Sequence, residues 1–178
     1  MKKEIILIIS LAIAALGSCG NGEKTTDASS GATGLGVTRV DISKEEGQKQ
    51  VYAFLKESGP YFFSSVEGNR PRLRPIGIVM EHDGKIWFHV GKHKSSYRQI
   101  RQNPNIEIVA VNSNGSWIRI TGKAVAQDND VVNAGAFAHS PGLREIYNEK
   151  TGYSLGHFYV ADGIAEISRN NQVEQILF

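Results

Sequence analysis

Alternating arginines are the residues of this sequence best suited to binding chemistry. Arg70, Arg72 and Arg74 share one parity along the chain, and apolar residues continue that parity at 76, 78 and 80. Successive side chains of a strand point to opposite faces, so one face of an extended strand would change from cationic to apolar along its length. That face suits a ligand with an anionic group and an apolar body.

A lysine-rich turn is predicted to bring more positive charge to the same region. The Asp-Gly pair at 83–84 predicts a hairpin, and its return strand leads into a basic turn that ends at Lys94. Ser95 or Ser96 is then expected to cap a helix. Because the start of a helix presents unpaired N–H donors and partial positive charge, this turn and Arg74 together would hold a phosphate.

The rest of the pattern predicts a mainly β domain with short helices, of the α+β class. A capping box at Ser43 and Glu46 begins a helix that Gly59 ends. The apolar periods predict about six or seven strands, at residues 61–66, 70–80, 86–90, 106–111, 117–126, 158–167 and 173–178. Further short helices are predicted at 96–102, from 128 or 129 to 137, and after Pro141.

Four segments, taken in order, carry a resemblance to a known family. They are RPRLRPIG at 70–77, IWFHVGKHK at 86–94, YRQIRQNPN at 97–105 and WIRITGKA at 117–124. Over residues 51–167 the chain resembles the pyridoxamine 5'-phosphate oxidase-like, FMN-binding split-barrel family. The resemblance implies a small antiparallel split barrel that forms a homodimer and holds one FMN in each of two grooves between the subunits.

The resemblance places one end of the cofactor at the strand of arginines. Arg74 matches the residue that meets the FMN phosphate, and the main chain of Pro75 and Ile76 matches the segment along the ribityl chain and ring. Lys94 and Ser95 match the second part of the phosphate clamp. Ser95 departs from the basic residue often found there, and this departure would weaken binding.

The other end of the cofactor is implied to lie against the return strand and a second subunit. His89 and Val90 are implied neighbours through their main chain, because Val90 replaces a threonine that is common in the family. Trp117 matches a residue that reaches the ring from the partner subunit, and a core tryptophan is the alternative. Lys92 or Arg119 would be the donor beside the flavin N1–C2=O edge.

The implied function is that of an FMN-dependent oxidoreductase acting on a small molecule such as a quinone or a nitro compound, with no catalytic residue assigned. A module that binds flavin or haem without turnover is the alternative, and His89, His93 or His157 would then be axial ligands. A third alternative is an interaction protein that has lost its cofactor. The departures from the family pattern at Val90 and Ser95 favour this alternative. Oxidation of vitamin B6 is not expected, because no C-terminal Arg and Trp segment of the true oxidases precedes Phe178.

The N-terminus predicts export and a lipid anchor. A basic start precedes an apolar run that is too short to span a bilayer, and the run ends in a lipobox at 16–19. The predicted parts are a signal peptide at 1–18, the lipidated Cys19, a flexible tether through residue 36 and a folded domain at 37–178. This organisation predicts a domain held at the cell envelope. An uncleaved anchor or a chance apolar start is the alternative.

Charge and motif patterns set several function classes aside. The formal net charge of +2 is small for a nucleic-acid binder. His89 and His93 have metal-ligand spacing for a helix, but Gly91 lies between them in a strand-to-loop segment, so no metal site is predicted. His139 and His157 are isolated in the sequence and are expected to have surface or capping roles. Cys19, the only cysteine, leaves no second thiol for an internal disulfide.

Overall fold

The computed structural model describes residues 36–178, and the predicted signal peptide, Cys19 and nearly all of the tether lie outside that range. The strands are β1 (Val37–Arg39), β2 (Tyr61–Glu67), β3 (Arg70–Ile76), β4 (Met80–His82), β5 (Lys85–Gly91), β6 (Asn105–Val111), β7 (Trp117–Ala126), β8 (Leu155–Arg169) and β9 (Gln172–Leu177). The helices are α1 (Lys44–Ser58), α2 (Ser95–Gln102), α3 (Asp130–His139) and α4 (Leu143–Ile146). The fold is mainly β with short helices, as predicted.

Local capping and turn signals begin and end α1 and turn the hairpin at 83–84 where the sequence predicts. Ser43 Oγ accepts a hydrogen bond from the Glu46 N–H at 3.1 Å, and Gly59, with φ 75°, ends α1. The two-residue turns after β4 and β8 have positive φ at both central positions, which short hairpins require; these residues are Asp83, Gly84, Asn170 and Asn171. None of the four helices in residues 36–178 has the length and hydropathy needed to cross a membrane.

The predicted strand at 70–80 is in fact two strands with different partners. β3 pairs with β2 and ends at Ile76, whereas β4 starts at Met80 and pairs with β5. Pro75, which has no N–H to donate, and Gly77 lie where the ladder changes partner. The continuous cationic-to-apolar face was therefore a wrong prediction, since alternation is broken between β3 and β4.

The strands close a ring through this change of partner. β2 pairs with β6, β6 with β7, β7 with β8 and β8 with β5, and the segment containing β3 and β4 joins β5 back to β2. β8 has 15 residues and pairs with two strands along one edge. Residues 155–159 pair with β5, and residues 164–169 pair with β9. The result is a split barrel, as the resemblance implies.

The described sheet has nine strands rather than the six or seven predicted. One of the added strands comes from the division of 70–80, and the other is β1. β1 runs parallel to β9, so the sheet is not wholly antiparallel. Its three residues lie at the start of the described chain and carry no periodic signal of their own.

The barrel core is aromatic and aliphatic. Phe88 lies between Phe63 and Phe158, with ring centroids 4.8 and 5.5 Å away. Buried Tyr61 donates its hydroxyl hydrogen to the Ile78 carbonyl at 2.9 Å, which fixes the chain between β3 and β4 to β2. A smaller apolar cluster packs α3 and α4 against β4 and the opposite face of β8.

Candidate functional site

Arg74 is held in a hydrogen-bonded triangle at the junction of β2, β3 and α2. Its Nη1 donates to Ser65 Oγ at 3.0 Å, and its Nη2 donates to Gln99 Oε1 at 2.7 Å. The Ser65 hydroxyl also donates to Gln99 Oε1 at 3.0 Å. Ser65 and Gln99 are buried, at 1% and 3% exposure. The three side chains therefore fix the guanidinium of Arg74 in one position.

The charge of Arg74 is not balanced by a carboxylate. Both of its hydrogen-bond partners are neutral, and the ion pairs within residues 36–178 do not include it. Burial, followed by the positive charge of Arg72, lowers the pKa of Arg74, yet a guanidinium remains protonated in proteins. A half-buried cation with neutral partners is suited to bind an anion.

The start of α2 supplies N–H donors beside this cation. Lys94, not Ser95 or Ser96, is the N-cap residue, and it makes no side-chain capping bond. The predicted serine cap was therefore wrong. The chain enters the helix early because the Lys94 N–H already bonds to the Gly91 carbonyl at 3.0 Å and the Lys94 carbonyl accepts from Tyr97. The first turn of α2 thus lacks the side-chain cap that would compete with an anion.

Helix geometry brings the two features together. Ser95 and Ser96 precede Gln99 by four and three residues, so all three lie along one side of α2. The bond from Arg74 to Gln99 therefore holds the guanidinium within about one helical turn, roughly 5–6 Å, of the helix start. We call Ser65, Arg74, Gln99 and the helix start at 94–96 the anion site.

The sequence analysis missed two residues of the anion site, Ser65 and Gln99. Ser65 shares the parity of Tyr61 and Phe63, both buried, and a polar residue on an apolar face was the available signal. Gln99 precedes buried Ile100 in a polar helix, and no local pattern distinguishes it. Burial of both side chains arises from the packing of α2 over β2, which is a tertiary contact.

The three alternating arginines have different environments. Arg72 forms an ion pair with Glu67 at 2.7 Å, and Arg98 contacts the same carboxylate at 3.4 Å. These contacts, with that of Arg72 the largest, lower the pKa of Glu67. Arg70 is exposed at the beginning of β3. Arg74 alone of the three belongs to the anion site.

An open stretch of backbone lies next to the anion site. β4 pairs with β5 only as far as Trp87, so from His89 to Gly91 β5 is paired with β8 alone in the described chain. The Val90 side chain is buried in the core, which leaves its main chain as the part able to contact a ligand. Pro75 is exposed and Ile76 half-buried at the end of β3.

His89 and His157 form a buried pair across β5 and β8. Their Nδ1 atoms are 3.0 Å apart and His157 is buried, so the expectation of a surface or capping role for His157 was wrong. His93 instead stacks on Tyr153, with ring centroids 3.9 Å apart. Residues 36–178 contain no cluster of three or more side chains arranged to hold a metal. Axial ligation of haem by His157 would have to use Nε2, because its Nδ1 is bonded to His89.

Comparisons with known proteins agree with this geometry. The sequence model of the Pyridoxamine 5'-phosphate oxidase family matches residues 48–151. The chain belongs to the pyridoxamine 5'-phosphate oxidase family. Members of this family typically bind a flavin and often form dimers. No curated protein matches the chain.

Solved structures give the same family and fold. A NimC/NimA family protein from Clostridium acetobutylicum is 32% identical, with a TM-score of 0.69 over 76% of this chain and 94% of that one. General Stress Protein 26 from Bacillus anthracis is 11% identical, with a TM-score of 0.58 over 77% and 100%. A heme binding protein from Mycobacterium smegmatis is 14% identical, with a TM-score of 0.56 over 78% and 59%. The last two share the fold.

Trp117 does not reach the anion site of its own chain. β2 and β6 lie between β7 and β3, a separation of about 14 Å between Trp117 and the arginine strand. Trp117 is half-buried on the outer side of the sheet, with the Arg119 guanidinium 5.9 Å from its ring. The core alternative does not hold, and a second copy would have to supply Trp117 to the site.

The two residues expected as flavin donors already have acidic partners. Arg119 donates two hydrogen bonds to the Glu166 carboxylate, and Lys92 bonds to Asp128 at 3.1 Å. Neither side chain contacts Arg74. These ion pairs therefore give no support to the expectation that Lys92 or Arg119 stabilises a reduced flavin.

An apolar surface covers the outer side of the sheet next to Trp117. Phe62, Leu73 and Val111 are 53%, 67% and 58% exposed. Pro75, Val109 and Trp117 lie on the same side of the sheet, opposite to the core residues of β2, β6 and β7. We call these six residues the outer face. Large exposed apolar patches mark interaction surfaces, and dimers are common in this family.

The residues present fit a phosphate-bearing planar cofactor of the kind the family binds. Arg74 and the uncapped start of α2 match a phosphate in charge and hydrogen-bond type. The unpaired edge of β5 offers main-chain groups to a ring. The fit holds although Ser95 replaces a basic residue, because Lys94 is exposed at the same helix start.

Proposed function

We propose that this chain is an FMN-binding flavoprotein that carries out redox chemistry on a small molecule. The observation that carries the proposal is Arg74, a fixed guanidinium whose hydrogen-bond partners are both neutral. It lies beside the start of α2, which has no side-chain cap. Both features favour a phosphate group, and family membership makes the phosphate of FMN the leading candidate.

The residues of the chain would bind and orient the cofactor. The proposed contacts are Arg74, Pro75, Ile76, His89, Val90, Lys94 and Ser95, with Trp117 from a second copy. Arg74 and Lys94 would bind the phosphate through charge-assisted hydrogen bonds, and the main chain of β3 and β5 would orient the ring. FMN, when bound, supplies hydride and electron transfer. No side chain is assigned a proton-transfer step.

A homodimer would complete this site. The outer face is the surface proposed for the contact, because its three most exposed apolar side chains lie on β2, β3 and β6, on the same side of the sheet as Trp117. Burial of such side chains stabilises association by roughly 25 cal/mol per Å² of apolar area before the costs of binding are subtracted. The second copy would bring Trp117 to the ring.

We further propose that Cys19 is lipidated and that the chain from Cys19 to residue 36 tethers the domain to the cell envelope. The lipobox at 16–19 and the low-complexity segment that follows support this proposal. An oxidoreductase in that location would draw electrons from a membrane partner, because nicotinamide cofactors are cytosolic.

A visible spectrum of the purified full-length chain, recorded before and after FMN titration, tests the proposed function. A flavin spectrum with quenched fluorescence and one FMN per chain is expected. A Soret band on haem addition, with no flavin bound, would favour the alternative of a haem-binding module. Failure to bind either cofactor would refute the proposal. If FMN binds, turnover with quinone or nitro acceptors would distinguish an enzyme from a flavin-binding module.

A further inference from the structure

A second concave site lies on the opposite side of β5 and β8 from the aromatic core. There α3 and α4 pack over the sheet and leave a cleft of about 390 Å³ that reaches His157. Phe137, Tyr147 and Tyr153 contribute aromatic surface to its walls. We call this space the His157 cleft. Its volume falls within the range typical of small-molecule sites.

His157 presents one ring nitrogen to the cleft. The side chain is 5% exposed, and its Nδ1 is bonded to Nδ1 of His89. Nε2 is the other polar atom of the ring, so a ligand in the cleft would contact this atom. The chemistry of the cleft depends on whether Nε2 carries a proton.

The buried partner decides where the protons lie. Burial lowers the pKa of His89 to about 3 and also lowers that of His157, so both rings are neutral at pH 7. One shared proton then lies between the two Nδ1 atoms. His89 Nε2 is buried with no partner among residues 36–178, and a buried N–H without an acceptor is rarer than an unpaired acceptor. His89 therefore donates from Nδ1, and His157 is protonated on Nε2.

The rim carries a net negative charge and the cleft ends in the His157 N–H, and the two together favour a ligand with an uncharged acceptor. Lys92 forms an ion pair with Asp128 at 3.1 Å, which balances its charge. Asp130, at the start of α3, adds a further negative charge. An anionic ligand would meet this carboxylate, and a cationic ligand would find no acceptor at the His157 N–H. The stacked pair of Tyr153 and His93 extends the aromatic wall.

We propose that the His157 cleft binds an uncharged planar aromatic molecule whose carbonyl oxygen accepts a hydrogen bond from the His157 Nε2–H. Aromatic walls favour a flat ring, and the N–H fixes which end of the molecule points inward. The proposal goes beyond flavin binding and does not depend on it. The anion site and the His157 cleft have no side chain in common.

The first test determines the protonated nitrogen of each ring. Long-range ¹H–¹⁵N correlation spectra of the flavin-free full-length chain at pH 7 report the tautomer of each histidine, and spectra of His89→Gln and His157→Gln assign the signals. His89 is expected to be protonated on Nδ1 and His157 on Nε2. A proton on Nδ1 of His157 would overturn the proposal, because the cleft would then present an acceptor.

The second test uses benzamide as a neutral carbonyl probe and benzylamine as a matched cation without an acceptor. Benzamide is expected to shift the His157 Nε2 signal. It is also expected to bind at least about fivefold more tightly than benzylamine, because one neutral hydrogen bond contributes a difference of about that size. His157→Leu should lose about fivefold in benzamide affinity, whereas His157→Gln keeps an N–H and should lose less than about twofold. Equal affinity for both probes, or unchanged affinity in His157→Leu, would contradict the proposal.

Discussion

Replacing Arg74 by alanine should weaken FMN binding by about 10- to 150-fold. A hydrogen bond to a charged group contributes roughly 1.5–3 kcal/mol, and each 1.4 kcal/mol changes a dissociation constant about tenfold. The guanidinium is fixed at 3.0 Å from Ser65 and 2.7 Å from Gln99, so little further ordering is needed when phosphate binds. The hydrogen bond from Ser65 to Gln99 remains in the variant, which should preserve the local fold.

Riboflavin, which has no phosphate, separates phosphate recognition from other effects of this substitution. Fluorescence titrations of wild type and Arg74→Ala with both ligands form a cycle in which FMN affinity falls and riboflavin affinity stays within about twofold. Arg70→Ala is the matched control, because it removes the same charge from an exposed position about 13 Å away along β3. It should change FMN affinity by less than about threefold, since surface charges at that distance are screened.

Two results would refute the assignment of Arg74. One is an equal loss of FMN and riboflavin affinity, which would indicate a structural defect in place of a lost phosphate contact. The other is an equal effect of Arg70→Ala and Arg74→Ala, which would indicate a general dependence on charge. Arg74→Lys should lie between wild type and alanine, because it keeps the charge and loses the planar fork.

Further substitutions test the dimer, the anchor and the histidine pair. Phe62→Glu should convert the proposed dimer to a monomer in light scattering, whereas Val131→Glu, on α3 and 63% exposed against 53% for Phe62, should not; a dimer that persists in Phe62→Glu would exclude the outer face. Cys19→Ser should move the protein from the membrane fraction to the soluble fraction, and unchanged membrane association would contradict lipidation. Because burial lowers the pKa of His89 to about 3 from a usual 6.5, the unfolded state binds more protons between these values, and the free energy of unfolding should fall as pH drops from 6.5 toward 3. Urea unfolding of His89→Gln should therefore show a weaker pH dependence than wild type, and identical slopes would argue against the buried neutral pair.

Local signals were enough to predict most of the elements. The serine cap of α1 depends on residues three apart, and the Asp-Gly hairpin depends on two adjacent residues. Alternation identified β2, β6 and β7 because one side of each strand packs on the core. The family segments then supplied the ring closure, which no local pattern contains.

Apart from the serine cap of α2, the main misses involve contacts between residues distant in sequence. Alternation from Arg70 to Met80 gives no sign that the pairing partner changes from β2 to β5. The alternation of side chains along one strand does not identify the strand with which it pairs. His89 and His157 are 68 residues apart in the sequence. They are in contact only because β5 and β8 pair in a register that places them opposite each other. Likewise, Gln99 enters the anion site through the packing of α2 on β2.

The length of β8 has a consequence for biosynthesis. β5, β7 and β9 all form ladders with this strand, and it begins only at Leu155. A nascent chain that has emerged as far as residue 154 can form the pairs of β2 with β3 and β6, but it cannot close the barrel. Closure of the barrel therefore has to wait for β8, so the sheet cannot be completed before residues 155–169 have been synthesised.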